Sequence, residues 1–370
     1  MVVTKFTPGG EILFKKRVEG NFEPSGAGLA ADDLGNVYIT GSFRSSAQFD
    51  SIRLDGGSES TLYFGQLYVS NAPPVLPPIS PRRVVAGRSL SVTNAAVDPD
   101  WNQSLFYSLG PGAPQGTAIE PTTGIFRWRP SEEQAGTTNR IVVRATDNGL
   151  PPQTGEQPLI VVVPDLVRLA LSNTLIPDGG LGEMPVTVFS SARLTNLTFT
   201  LDLATNRFSD ISAVSLVPET ANASVRRVSD TSFIVSFAAT PGQTLSGRME
   251  VAQLKFQTLT NGRSTVVKLV PASITAQRAD SSMVSDVRSQ SGELLVLGRE
   301  PILQIGAWER GTASLTVYGA VGVRYRILSS PSLAASLWSE EATVRLTDLS
   351  GKISILATGA RRFFRAARID

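Results

Sequence analysis

The chain has 370 residues, with 34 Lys and Arg against 32 Asp and Glu, 41% apolar residues, 32 Gly, 23 Pro and neither Cys nor His. The missing Cys and His exclude thiol nucleophiles, Ser-His-Asp triads, His general bases, disulfides and ordinary zinc sites. The nearly cancelled charge supplies no dense basic face for nucleic acid, and no stretch approaches the roughly 20 apolar residues of a spanning helix.

At roughly 100–200 residues per domain, the length predicts two to four domains. Charged residues are only 18%, and Gly, Pro, Ser and Thr fill the gap. That balance predicts short strands joined by turns, an all-β fold, rather than long helices. The most apolar run, 159–163, stops at Pro164, and the first residues lack a basic stretch followed by an apolar one, so no signal peptide is legible there.

Residues 1–69 begin with the short strand Val2-Val3-Thr4-Lys5-Phe6, and Leu62-Tyr63-Phe64-Gly65-Gln66-Leu67 echoes it some sixty residues on. Between them, Asp33 to Asn36 predicts a hairpin turn, with Gly35 and Asn36 suited to positive φ. Val37 and Ile39 then alternate with Tyr38 and Thr40, as a half-buried strand does. The run from Gly28 to Gly41 resembles the bacterial β-propeller repeat G-x-A-x-D-x-x-G-N-x-Y-x-T-G. One repeat implies one blade, and a lone blade leaves exposed edges. The resemblance therefore implies that the chain is part of a longer protein, or that its natural start lies upstream of Met1.

Asn71-Ala72-Pro73-Pro74-Val75-Leu76-Pro77-Pro78 predicts a stiff linker. Residues 70–164 then carry short strands at Phe106-Tyr107-Ser108-Leu109, Ile125-Phe126-Arg127-Trp128 and from Ile141 onward, the spacing of an immunoglobulin-like sandwich. Ala145-x-Asp147-x-Gly149-x-Pro151 resembles the cadherin A-x-D-x-G-x-P motif position by position, and Asn71-Ala72-Pro73 resembles the linker before a cadherin repeat. The acidic glutamate motif of animal cadherins has no counterpart; Glu132-Glu133 sits in another context.

In 165–298, Leu197, Phe199, Leu201 and Leu203 alternate with polar residues, as do Phe233, Val235 and Phe237, then Leu254 and Phe256. Val186-Thr187-Val188 and the runs 266–270 and 294–297 add strands. About nine strands predict a jelly-roll-like sandwich, whose layout resembles cohesin and carbohydrate-binding-module sandwiches. Residues 299–370, with Tyr325 to Ser330, Trp338 and Ala360-Arg361-Arg362-Phe363-Phe364-Arg365, resemble small C-terminal β modules of bacterial secreted proteins.

Asp98, Asp100, Asp147 and Asn148 are the most specific polar set. Calcium takes six to eight oxygens from carboxylates, amides, carbonyls and water. Asp98 and Asp100 share a face of an extended chain, and the cadherin resemblance makes Asp147 a ligand from a neighbouring strand end. The same residues also make ordinary turns: Asp98-Pro99-Asp100 and Asp147-Asn148-Gly149 both suit one. Asp32, Asp33 and Asn36 form a second acidic loop that hairpin chemistry explains. Glu132-Glu133 and Glu340-Glu341 read as solvated turns rather than a glycosidase pair. Arg361, Arg362, Arg365 and Arg368 read as the outer face of a last strand with Phe363 and Phe364 inside. Of the tryptophans, Trp128 reads as core and Trp101 as the more exposed.

The expectation is a bacterial secreted or cell-surface protein of serial β modules: one propeller-like blade, an Ig- or cadherin-like sandwich, a jelly-roll or cohesin-like sandwich and a small C-terminal β sandwich. It predicts a non-enzymatic adhesion, scaffold or spacer region with calcium in residues 70–164 and a protein or polysaccharide partner at the cell surface, without nucleic acid. The alternative is a carbohydrate-binding accessory region of a polysaccharide-degrading enzyme.

Overall fold

Alternation of apolar and polar residues produces strands along almost the whole chain. The computed structural model describes all residues except 7–9, 11, 23–27, 33–35, 50–51, 68–70, 101–102, 150, 204–206, 310, 335–336, 357–361 and 370, and excepting the side chains at 13, 14, 21 and 22. The chain is all-β and falls into two compact units, Met1–Pro164 and Asp165–Asp370. Among the described residues the one helical element is a 3-10 turn, Glu132–Gln134.

In the first unit, residues 2–67 form a six-stranded sheet around Val37–Phe49. The first half of that strand pairs with Gly28–Ala31 and Thr61–Leu67, the second half with Ile12–Phe22 and Ile52–Asp55. The switch falls where the register to Ile12–Phe22 shifts and Ser45 takes φ 65, a bulge that bends the strand. Val3, Val37, Ile39, Phe43, Ala47 and Tyr63 form its core.

Residues 71–163 form a sandwich. Leu90–Thr93, Ile125–Trp128 and Thr117–Ile119 make one sheet; Arg82–Arg83, Thr154–Val163, Thr137–Thr146 and Phe106–Leu109 make the other. Phe126, Trp128, Ile141, Val143, Leu159 and Val161 are fully buried. The Pro-rich stretch, expected to be a stiff linker, is paired and packed against the sandwich. Val75 and Val97 exchange two backbone hydrogen bonds at 2.8 and 2.9 Å, and Pro74 and Leu76 are buried. Buried Pro74 and Leu76 alternate with exposed Pro73, Val75 and Pro77, so half of it packs as an edge strand would.

In the second unit, the described residues of 166–297 hold eleven strands against the about nine expected. The excess comes with a merger: Val186-Thr187-Val188 and the 197–201 alternation belong to one strand, Leu181–Asp202. It pairs first with Leu166–Leu171 and Leu245–Thr258, then with Ser232–Ala239 and Ala272–Arg278. A three-stranded sheet, Thr174–Pro177, Gly292–Leu297 and Thr265–Leu269, contributes Ile176, Leu294, Val267 and Leu269 to the same core. Residues 302–369 add two three-stranded sheets around Leu315, Val317, Tyr325 and Ile327. Glu340 and Glu341 lie in the strand Ser339–Arg345, not in a turn; Glu341 is half-buried by its ion pair with Arg362 and accepts from the Ser329 hydroxyl at 2.6 Å.

Candidate metal centre

The end of the hairpin between Thr137–Thr146 and Thr154–Val163 carries Asp147, which is 3% exposed. Its Oδ1 accepts three hydrogen bonds: from Asn71 Nδ2 at 2.8 Å, from the Gly149 backbone at 2.9 Å and from the Gln153 backbone at 3.0 Å. Its Oδ2 is buried with no donor. Gly149 is small for a reason: a Cβ there would lie 2.2 Å from Asn71 Oδ1. Asn71 Nδ2 also donates to the Pro151 carbonyl at 2.9 Å, and Gln103 Nε2 donates to Asn71 Oδ1 at 2.6 Å. Thus Asp147 and the Pro151 carbonyl both accept from Asn71, and Gly149 leaves room for it.

The other three residues singled out from the sequence divide by what their oxygens do. Asp98 Oδ1 accepts the Asp100 backbone N–H at 2.7 Å, while Asp98 Oδ2 is buried and unpartnered. Asp100 Oδ2 accepts the Ala72 backbone N–H at 2.7 Å. Asn148 Oδ1 accepts the Ser104 backbone N–H at 2.8 Å. Gln103 Oε1, which nothing in the sequence pattern flagged, is a third buried oxygen without a donor. Burial pushes the Asp98 carboxyl above the ordinary carboxylate range; the Asp100 backbone N–H pulls it back, and repulsion from the Asp100 and Asp147 carboxylates adds to the rise. Asp98 is therefore within electrostatic reach of both other aspartates.

A buried acceptor without a donor costs about 1–3 kcal/mol, more when charged. Three of them border one hydrogen-bonded cluster, and hard cations are the ligands that oxygen-only donors suit. Among the described residues, no group of three or more His, Cys, Asp or Glu is placed to hold a metal. The buried oxygens without a donor in this part of the sandwich are thus two carboxylate oxygens, of Asp98 and Asp147, and the Gln103 amide oxygen.

The remaining candidates are occupied. Asp32 Oδ1 accepts the Asn36 backbone N–H at 2.9 Å, and its Oδ2 accepts Asn36 Nδ2 at 2.8 Å and the Tyr38 hydroxyl at 3.1 Å; Asp33 lies outside the described residues. In the cleft of 177–178, 260–263 and 297–300, Asp178 pairs with Arg207 at 2.7 Å and accepts the Gly262 N–H at 2.7 Å, while Glu300 accepts the Ser264 N–H at 3.2 Å. Neither carboxylate is a free base. Trp128 is buried, the Trp338 ring lies under the Arg365 guanidinium at 4.4 Å, and Trp308 is 48% exposed. Arg362 pairs with Glu341 and lies 6.0 Å over Phe364. Trp101 and Arg361 lie outside the described residues.

No family model matches the chain, and no curated protein matches it. Among solved structures it is similar to cohesin β-sandwiches. A type I cohesin–dockerin complex from Clostridium thermocellum matches at 12% identity and TM-score 0.32, over 35% of this chain and 99% of that one. The seventh ScaB type I cohesin from Pseudobacteroides cellulosolvens matches at 16% and 0.31, over 37% and 96%. CaCohA2 from Clostridium acetobutylicum matches at 13% and 0.31, over 35% and 90%. At TM-scores near 0.3 these likenesses carry no functional argument. No helix among the described residues is long and apolar enough to cross a membrane.

Proposed function

We propose that this chain is a non-enzymatic extracellular segment of serial β modules, serving adhesion, scaffolding or spacing, in which calcium stiffens the sandwich of residues 70–164. One observation carries this reading: Asp98 Oδ2, Asp147 Oδ2 and Gln103 Oε1 are buried acceptors with no donor. Bound calcium supplies the positive charge those oxygens lack. Asp98, Asp147 and Gln103 hold it, and backbone carbonyls and water complete its six to eight ligands. Asp100 and Asn148 keep the roles described above, fixing residues 72 and 104 around the site. The engaged carboxylates of Asp178 and Glu300 favour a binding role over a hydrolytic one. The partner is a protein or polysaccharide at a cell surface.

Isothermal titration of the full chain tests the metal. Calcium is expected to bind saturably at one site, magnesium far more weakly because it demands a tighter octahedral shell, and Asp147→Asn is expected to abolish the heat. A chain that gives no saturable signal in millimolar calcium overturns the reading.

A further inference from the structure

Resting on the reading that the partner is a polysaccharide, we propose that the outer face of the last sheet binds an acidic one through its carboxylate or sulfate groups. That sheet is Ser339–Arg345, Arg324–Ser330 and Phe363–Ile369. Tyr325 and Ile327 are buried, and Ala366, opposite Ile327, packs on the same core. Alternation then turns Arg324, Arg326 and Leu328 outward. The register sets Arg345 opposite Arg324, and Arg365 opposite Leu328. All four arginines are exposed. Among the described residues Glu340, opposite Leu328, is the one acid on this face. The excess of positive charge here is larger than that of the whole chain, which is +2.

Two observations point to an anion. Arg324 and Arg345 stand directly opposite each other, a like-charge pairing that destabilises a sheet. Among the described residues, none of the four arginines forms an ion pair with a carboxylate. An oxyanion bridging Arg324 and Arg345 turns their repulsion into attraction. The class of ligand follows from the rest of the face. Every cation on it is Arg, whose planar fork takes two oxygens of an oxyanion at once. The charges run in a line: Arg324 and Arg326 lie about 6.6–6.8 Å apart along one strand, and Arg365 sits beside the next outward position. A polymer with repeated charge follows such a line; a small anion covers only part of it. Leu328, Ala367 and Ile369 are half-buried between the arginines, so the face itself offers no apolar patch to a protein interface core or a lipid surface. The Trp338 ring beside it is half-buried, with the Arg365 guanidinium 4.4 Å away, and bases find no free stacking platform.

Titration of the full chain in chelator with polygalacturonate, dextran sulfate and neutral dextran tests the face independently of calcium; the two acidic polymers tell carboxylate from sulfate. Saturable binding to an acidic polymer and none to dextran is expected. It should weaken as salt rises from 0.1 to 1 M, where the screening length falls from about 10 to 3 Å. Arg324→Gln combined with Arg326→Gln is expected to weaken binding at least about tenfold, the scale of lost charged hydrogen bonds, without lowering the melting temperature. Arg326→Lys, which keeps the charge but not the fork, is expected to weaken it less. Lys268→Gln, exposed on a different sheet, is expected to leave it unchanged. Unchanged binding in the double variant, or equal binding of neutral dextran, overturns the arginine face and leaves the polysaccharide reading intact. A single-stranded oligonucleotide bound more tightly than either acidic polymer overturns the choice of ligand. Absence of binding to all three polymers overturns both the face and the polysaccharide reading, and leaves a protein partner.

Discussion

The sheet of residues 2–67 and the sandwich of 166–297 rest on the same device, one long strand bent so that its halves serve different neighbours. In Leu181–Asp202 the bend falls between Ser190 and Leu194, where Ser190 Oγ donates to the Ala192 carbonyl at 2.7 Å. In Val37–Phe49 it falls at Ser45. The outcomes differ. Leu181–Asp202 buries every second residue along nearly its whole length and helps close a core of 25 buried apolar residues. Val37–Phe49 turns polar at Arg44-Ser45-Ser46, and among the described residues its core has six. Leu62 and Phe64 stay 83% and 76% exposed, and an apolar opening of about 490 Å³ remains between Val18, Phe49, Ile52, Leu54, Tyr63 and Leu67. A bent strand sets topology; closing a core also requires apolar residues on both of its halves.

Core truncation should separate the two regions most. Phe199 is fully buried and packs against Phe237 with ring centroids 5.9 Å apart, so Phe199→Ala is expected to cost about 3–5 kcal/mol. Phe43→Ala is expected to cost less although Phe43 is itself buried, because Tyr63, its ring neighbour at 6.3 Å, borders that opening and can relax. Denaturant melts of the full chain, read by exchange at amides in each region, measure both; equal losses would erase the contrast.

A smaller effect sharpens the comparison further. Leu62→Thr on the exposed face of the first sheet is expected to shift stability by no more than about 0.5 kcal/mol. A loss several times larger would mean that this face is covered in solution.

Much of the fold was legible because period-two alternation reports one buried face directly. The 197–201 alternation, Phe233 to Phe237 and Ile125 to Trp128 all fall in strands, with Leu197, Phe199, Leu201, Val235, Phe237, Phe126 and Trp128 inside and Phe233 half-buried. What escaped were features set by long-range pairing. Nothing local marks that 186–188 and 197–201 form one strand, because a bend at Ser190 leaves no Gly or Pro signal. The packing of the Pro-rich stretch was missed for a related reason: Pro73, Pro74, Pro77 and Pro78 dominate its composition, while its docking depends on Val97 and Gly155, distant in sequence. At the site, Asp98 and Asp147 stood out as carboxylates. Asp100 and Asn148 stood out equally by type and spacing, and the structure adds that each accepts a backbone N–H, from Ala72 and Ser104. Gln103 carried no signal at all.

The calorimetric melt of the full chain in calcium and in chelator, beside Asp98→Asn, tests the central claim most directly. A cation that binds only the folded form adds about 2.7 kcal/mol at a hundredfold excess over its dissociation constant. For a sandwich of this size that raises its transition by roughly 10–20 °C, at about 4–8 °C per kcal/mol. In chelator, the raised Asp98 carboxyl means that the folded protein holds this proton more tightly than the unfolded chain. Its contribution to stability is therefore most favourable at low pH and falls as pH rises from the unfolded to the folded pKa. Asp98→Asn should flatten that dependence and melt no lower than the unmodified chain in chelator at neutral pH, while losing the calcium increment. Identical melting of the unmodified chain in millimolar calcium and in chelator would contradict the account and reduce Asp98 and Asp147 to turn formers.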